Sequence, residues 1–132
     1  MFCLGTNIIS WCSRKQSSIA LSSVEAKYIA ANEAVCQLVW LRRIIFDLQQ
    51  NILDPTTILC DNISVIAMTK NPVFHARSKH IELRHHFIRD MVNKKEIQLE
   101  FINTYDQPAD ILTKVVPAEK FQQFKEFFKI AN

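Results

Sequence analysis

The sequence predicts a single α/β domain over residues 1–132, and three observations carry this prediction. A β-branched segment, a helical segment of about seven turns and a short apolar segment follow one another along the first half of the chain. A later segment alternates apolar and polar residues, which is typical of a half-exposed strand. The length of 132 residues, with 48% hydrophobic and 22% charged side chains, suits one compact core.

The first half of the chain is predicted to form a strand, a helix and a second strand. Residues 7–12 are mostly β-branched, aromatic or sulfur-containing, which favours a strand. The sequence S-S-V-E at residues 22–25 matches a capping box, and the apolar spacing beyond it reaches Leu48 without glycine or proline. Residues 56–60 form an apolar run of the kind buried in a parallel pair. The two strands and the helix are therefore expected to form a right-handed crossover.

The second half alternates helical and extended patterns. Pro72 should end a short helix, because the residue before proline is pushed out of helical geometry. Ile81, His85, Ile88 and Val92 recur at helical spacing and define one apolar stripe. The predicted elements are a helix over 63–70, a basic amphipathic helix over about 79–93, a strand over 96–103 and closing helices over 107–114 and 117–130.

Composition excludes several classes of protein. Gly5 is the single glycine, so a glycine-rich nucleotide loop is excluded. No apolar run exceeds four residues, against the roughly 20 that cross a bilayer, and no secretory signal is recognisable, so an intracellular protein without a membrane span is expected. The four cysteines are far apart and include no C-x-x-C pair, which disfavours a disulfide framework and predicts buried, reduced thiols at Cys3, Cys12, Cys36 and Cys60.

Positive charge is concentrated in one segment. Residues 67–95 contain seven Lys or Arg against two acids, although the net charge of the chain is only +3. A polyanion is therefore a candidate partner. The alternative is a solvated helix face in which His85 belongs to the core stripe. All four histidines lie between residues 75 and 86, but their spacing does not suit zinc ligands.

Three carboxylates are the main functional lead. Glu25 begins the long helix, Asp61 ends the apolar strand and Asp110 lies in the first turn of a closing helix. The carboxyl ends of strands in open α/β sheets hold binding sites, so we expect these acids to converge there. Hard oxygen ligands grouped in this way suit Mg²⁺.

Each acid also has a local interpretation. Glu25 is the natural partner of Ser22 in the capping box. Asp61 could cap a helix starting at residue 62. Asp110 could be favoured by a helix dipole or could pair with Lys114.

Four stretches of the chain carry a resemblance to a known family. They are I-S-W-C-S-R-K-Q-x-x-I-A-L-S-S-V-E-A-K-Y, L-C-D-N-I-S-V-I, N-P-V-F-H-A-R-S-K-H-I-E-L-R-H-H-F-I-R-D and Q-P-A-D-I-L-T-K. In this order they resemble the ribonuclease H domain at the carboxyl end of copia-type retrotransposon Pol polyproteins, over nearly the whole chain from Gly5 to about Phe128. The resemblance implies a ribonuclease H-like mixed sheet flanked by helices.

The resemblance also implies an activity and its partners. The activity is endonucleolytic, Mg²⁺-dependent hydrolysis of RNA in RNA/DNA hybrids, with Glu25, Asp61 and Asp110 matching the second, third and fourth acids of a D-E-D-D site that holds two metal ions. Hybrids are contacted mainly through their backbones, so we predict phosphate contacts from Lys79, Arg84, Arg89 and Lys94. The reverse transcriptase portion of the same polyprotein is the implied partner, in a cytoplasmic particle or in the nucleus.

One feature departs from the family pattern. The first acid of the family lies on a central strand, and residues 1–24 contain no Asp or Glu. We therefore expect a fragment in which that strand is missing and hydrolysis is impaired. A non-catalytic remnant that at most binds nucleic acid is the alternative. A transposase or integrase core is disfavoured, because its acids run Asp, Asp, Glu, whereas the order here is Glu, Asp, Asp.

Overall fold

The computed structural model describes residues 1–5, 7–50, 52–70 and 79–128, and within residues 79–85 it describes the helical backbone alone. The described elements confirm a mixed α/β fold. They are β1 (Phe2–Leu4), β2 (Asn7–Ser10), α1 (Ser23–Asp47), β3 (Thr56–Cys60), α2 (Ile63–Lys70), α3 (Lys79–Asn93), β4 (Ile97–Phe101), the 3₁₀ turns Thr104–Asp106 and Pro108–Leu112, and α4 (Ala118–Phe127).

Helix α1 is the longest element and confirms the capping prediction. The Ser22 hydroxyl oxygen accepts a hydrogen bond from the Glu25 backbone N–H at 3.1 Å, which satisfies one of the free donors at the helix start. The helix ends at Asp47, and Gln49 then adopts a left-handed backbone with φ of 60°. Tyr28 and Val35 lie on the buried face of the helix.

The strands form two separate sheets. β1 and β2 make an antiparallel hairpin, in which Gly5 takes a φ of 61° that suits glycine. β3 and β4 are parallel, with Thr56 opposite Ile97. The expected crossover between residues 7–12 and 56–60 is wrong, because β2 takes its hydrogen bonds from β1 and the parallel partner of β3 is β4.

The core lies between the β3–β4 sheet and helices α1, α2 and α3. Its fully buried side chains include Tyr28, Val35, Val65, Ile88 and Ile97. The helices cover one face of this sheet, so β3 alternates between covered and exposed side chains instead of being buried on both faces. The hairpin is attached to this core through the side chain of Phe2 and through a hydrogen bond from Gln37 to Ser10.

Two further predictions are corrected by the structure. Cys3, Cys12 and Cys36 are exposed and Cys60 is half-buried, because the hairpin and the outer face of α1 remain uncovered. The predicted helix over 107–114 is a 3₁₀ turn over Pro108–Leu112.

Candidate functional site

The carboxyl ends of β3 and β4 form the candidate site. Asp61 directly follows β3, and Thr104 lies three residues beyond β4. Because the strands are parallel, these two residues lie at the same end of the sheet, where the Thr104 hydroxyl donates a hydrogen bond to Asp61 Oδ2 at 3.4 Å. The helix cap is made by Asn62, whose side-chain oxygen accepts the Val65 N–H at 3.1 Å. The interpretation of Asp61 as that cap is therefore wrong, and its carboxylate is available for other contacts.

Asp61 is paired with a lysine from α1. Lys27 Nζ lies 2.7 Å from Asp61 Oδ2, and the exposed fractions of the two side chains are 41% and 18%. Burial alone would raise the pKa of Asp61, but the hydrogen bond and positive charge of Lys27 and the hydrogen bond from Thr104 outweigh it and hold this pKa below its usual 3.8. Asp61 is therefore a carboxylate at neutral pH.

Asp110 is held by two further lysines. It is buried in the 3₁₀ turn, and its Oδ2 lies 2.8 Å from Lys114 Nζ and 3.7 Å from Lys120 Nζ. The predicted pairing of Asp110 with Lys114 is thus confirmed. The same oxygen is buried and makes ion-pair contacts without a hydrogen bond within the described part of the chain.

Lys120 connects the two acids. Its side chain is only 6% exposed, and its ammonium lies 5.1 Å from the ring centre of Tyr105 and 5.3 Å from that of Phe124, at distances suited to cation–π attraction. It also donates a hydrogen bond to the Thr104 carbonyl at 3.2 Å. Thr104 therefore contacts Asp61 through its hydroxyl and Lys120 through its carbonyl. An open groove of about 300 Å³ adjoins this network and is lined in part by Lys114 and Lys120.

Glu25 caps the N-terminus of α1. Its Oε2 accepts the Leu21 backbone N–H at 2.8 Å, while its own N–H donates to Ser22. This is the capping interaction that the sequence offered as the local interpretation. The carboxylate accepts from Leu21, one residue earlier than in the standard capping box.

The predicted acids do not form a ligand set for a divalent ion in the described structure. Across residues 1–5, 7–50, 52–70 and 79–128, no group of three or more His, Cys, Asp or Glu is placed to hold a metal. Glu25, Asp61 and Asp110 thus do not gather into the single three-acid group expected from the sequence. In this arrangement they do not fit a divalent ion, because backbone N–H and ammonium donors engage the oxygens that a hard cation would use.

Three residues of this network were missed by sequence analysis. They are Lys27, Thr104 and Lys120. Lys27 and Thr104 reach Asp61 across 34 and 43 residues of chain, whereas Lys120 contacts the nearby Asp110. Nothing local marks Lys27, whose partner Asp61 lies on another element. Nothing local marks Lys120, whose burial depends on the docking of α4.

The predicted phosphate-binding residues differ in their surroundings. The side chains of Lys79 and Arg84 lie outside the described residues. Arg89 is half-buried, and its Nε is enclosed without a hydrogen-bond partner in the described structure. Burial raises the pKa of the neighbouring Tyr28, and the charge of Arg89 opposes that rise.

Lys94 lies away from the acids. It is exposed and pairs with Asp90 at 2.7 Å, which raises the pKa of Lys94. It precedes β4, whereas Asp61 follows the parallel strand β3. The five residues of β4 span roughly 16 Å, so a phosphate bound by Lys94 would lie at the opposite end of the parallel strands from Asp61.

The pair formed by Lys27 and Asp61 predicts a pH dependence of stability. A lowered pKa in the folded state stabilises the fold above the unfolded value of 3.8. We expect a contribution of at most about 1 kcal/mol, since Lys27 is partly exposed, and this contribution should be lost as the pH falls through the lowered pKa. Urea unfolding at pH 7 and pH 3 should show a smaller pH-dependent loss for Asp61→Asn than for the unsubstituted chain. An identical loss in both would contradict the assignment.

In comparisons with known proteins, the chain is similar to one region of much longer polyproteins. It is 42% identical over 126 residues to the retrovirus-related Pol polyprotein from transposon TNT 1-94 of Nicotiana tabacum, which is 96% of this chain and 9% of that polyprotein. The retrovirus-related Pol polyproteins from transposons RE2 and RE1 of Arabidopsis thaliana are 39% and 37% identical over 121 residues, each match covering 92% of this chain and 8% of the polyprotein. The chain thus spans less than a tenth of these relatives.

Two other comparisons are negative. No family model matches the chain, and no solved structure matches it significantly. No helix in the described residues is long and apolar enough to cross a membrane.

Proposed function

Because the chain is homologous to one region of the retrovirus-related Pol polyproteins of plant transposons, we propose that it is a ribonuclease H-like region that binds RNA paired to DNA. The observation that carries the proposal is the position of Asp61 at the carboxyl ends of two parallel strands. Thr104 and Lys120 connect this carboxylate to Asp110. Binding sites in open α/β sheets lie at the carboxyl ends of the strands.

The charges around the acids support recognition of a phosphate backbone. Lys27 and Lys114 have 41% and 50% of their side chains exposed, so an anion can reach both of them, and Lys114 also lines the groove. Phosphate contacts position a protein on nucleic acid without reading its sequence. A region of a polyprotein that acts on hybrids of any sequence requires this kind of contact.

The proposal extends to hydrolysis of the RNA strand of the bound hybrid. In the family that the chain resembles, Mg²⁺ supplies the activated water and stabilises the leaving oxygen, and holding it here would require the acids in another arrangement than the one described. Glu25, Asp61 and Asp110 are the residues of this chain that we assign to the reaction. Their present engagement with lysines and with a backbone donor means that the resting arrangement is suited to binding rather than to cleavage.

The proposed partners follow from the polyprotein context. The reverse transcriptase portion of the same polyprotein would deliver the hybrid, in a cytoplasmic particle or in the nucleus. A second candidate function is binding without catalysis, as in a retroelement remnant. It is favoured by the finding that the acids among the described residues do not assemble into a metal-sized group.

Hybrid binding should be salt-sensitive. Four phosphate contacts, from Lys79, Arg84, Arg89 and Lys94, would contribute roughly −3 to −4 to the slope of the logarithm of the binding constant against the logarithm of the salt concentration, and contacts from Lys27 and Lys114 would make this slope steeper. Substituting Lys94→Gln should weaken binding and reduce the slope by about 1, because one phosphate contact is lost.

The control is Lys15→Gln, which removes an exposed lysine outside the basic segment. Fluorescence anisotropy with a labelled RNA/DNA hybrid, titrated at several salt concentrations, measures both slopes. A binding constant that does not change with salt would contradict the proposal. An equal change in slope for the two substitutions would contradict the assignment of Lys94.

A further inference from the structure

Tyr105 presents an exposed aromatic ring from a well-defined turn. It lies in the 3₁₀ turn Thr104–Asp106, where the Asn103 side-chain oxygen accepts the Tyr105 backbone N–H at 2.9 Å. The Asn103 carbonyl oxygen accepts the Asp106 N–H, also at 2.9 Å. These two hydrogen bonds fix the backbone of the turn, yet 62% of Tyr105 is exposed. A large aromatic side chain is thus displayed to solvent from a fixed backbone position.

The buried Lys120 covers one face of this ring. Its ammonium lies 5.1 Å from the ring centre of Tyr105, and the lysine side chain is only 6% exposed. The exposed area of Tyr105 therefore belongs mainly to the opposite face and to the ring edges. Because cation–π attraction already holds the ring from behind, little conformational freedom is lost when a flat ligand stacks on the free face.

The groove beside the ring has an apolar and a basic part. Its open volume of about 300 Å³ is at the lower end of the volumes that hold small ligands. The lining also contains two ammonium groups, of Lys114 and Lys120, and one carboxylate, of Asp110, so these charged groups sum to +1. The apolar part is formed by Tyr105, Val115, Val116 and Pro117.

Lys114 is the groove lysine that a phosphate can reach. Its side chain is 50% exposed, against 6% for Lys120. Its Nζ lies 2.8 Å from Asp110 Oδ2, but an ammonium group has three donors, so this pairing leaves donors for a second anion. The groove therefore offers an aromatic face, apolar walls and an accessible cation. Sites for single-stranded nucleic acid combine an aromatic platform with positive charge in this way.

We propose, resting on the proposed function, that this groove holds an unpaired nucleotide next to the hybrid, with its base stacked on the free face of Tyr105 and its phosphate bound by Lys114. Inside a duplex both faces of a base are covered by its neighbours, so the ring accepts a base that has left the duplex. The substrate class is therefore a hybrid with a single-stranded extension. Tyr105 directly follows Thr104, which contacts Asp61, so the extension lies beside the acids.

The test compares two forms of one hybrid by fluorescence anisotropy at a fixed salt concentration. The first carries three unpaired adenosines at each end of its RNA strand, and the second carries abasic ribose phosphates at the same positions. The unsubstituted chain should bind the first form about tenfold more tightly, because it alone offers bases for stacking. Tyr105→Leu should lose this difference, whereas Tyr105→Phe should keep it. Lys114→Gln should weaken the binding of both forms, since both retain the phosphates.

Phe46→Leu is the matched control, because Phe46 is 67% exposed and lies near the end of α1, away from the groove. It should keep the tenfold difference. The ratio of two affinities within one variant is insensitive to a general loss of binding, so a partly destabilised Tyr105→Leu still gives a reading.

Equal affinities of the unsubstituted chain for the two extended forms, including no binding of either, would overturn the proposal. A difference that survives Tyr105→Leu would overturn the role of the ring, and unchanged binding by Lys114→Gln would overturn the phosphate contact. If a blunt hybrid binds with a negative salt slope while the two extended forms bind equally, the nucleotide site fails and the proposed function stands.

Discussion

The substitution Ile88→Ala should lower the free energy of unfolding by about 2–5 kcal/mol. Ile88 lies on α3, its side chain is fully buried, and it belongs to the core cluster that includes Tyr28 and Val35 of α1. Truncation removes apolar area from the core and leaves a cavity that the surrounding helices cannot fill. A typical domain has about 5–15 kcal/mol of stability, so the loss could approach all of it.

The matched control is Ile63→Ala, at the first position of α2, where the isoleucine is 66% exposed. This change should shift the free energy of unfolding by no more than about 0.5 kcal/mol. Urea unfolding followed by circular dichroism measures both, and the slope with denaturant should stay constant. Equal losses at the two positions would mean that α3 does not pack on α1 as described.

Elements set by local signals were predictable from the sequence. The capping box at Ser22 predicts the start of α1, and the proline at residue 72 predicts an end of α2 near Lys70. The strand over Thr56–Cys60 follows from a short apolar run, and the basic helix α3 follows from apolar residues at helical spacing. These features need no knowledge of which elements touch.

Features that depend on long-range packing were not predictable. The separation of the hairpin from the β3–β4 sheet depends on hydrogen-bond pairing between distant segments. The same is true of the site, where Lys27 and Thr104 reach Asp61 across 34 and 43 residues of chain. Capping by Asn62 rather than Asp61 was decided by the backbone at the end of β3, which two adjacent residues with equally suitable side chains do not reveal.

Adding an Asp-bearing β-strand ahead of the chain should produce Mg²⁺-dependent cleavage of RNA in a hybrid. Within the described residues, β1 and β3 each pair with one strand, so each has an edge whose backbone groups can accept another strand. The added Asp would bring a fourth acid to the end of the sheet at which Asp61 lies. The chain as given should have little or no activity, because its acids are engaged with other groups and no acid occurs in residues 1–24.

The role of Asp61 can be tested within the extended chain. Losing one preorganised electrostatic group typically costs about 10² to 10³ in rate, so Asp61→Asn should reduce cleavage at least that far. Asp47→Asn is the matched control, because Asp47 is an exposed carboxylate at the end of α1, away from the acids. Circular dichroism of all variants separates a loss of activity from a loss of structure.

The most direct test of the proposed ribonuclease H-like function is the rate of cleavage of a labelled RNA/DNA hybrid with Mg²⁺, compared between the extended chain, its Asp61→Asn and Asp47→Asn variants and the chain as given. We expect cleavage of the RNA strand by the extended chain and by Asp47→Asn, with a loss of at least about 10² for Asp61→Asn and little or no cleavage by the chain as given. Equal rates for the extended chain and its Asp61→Asn variant would contradict the assignment of the site. Full activity of the chain as given would contradict the need for a fourth acid.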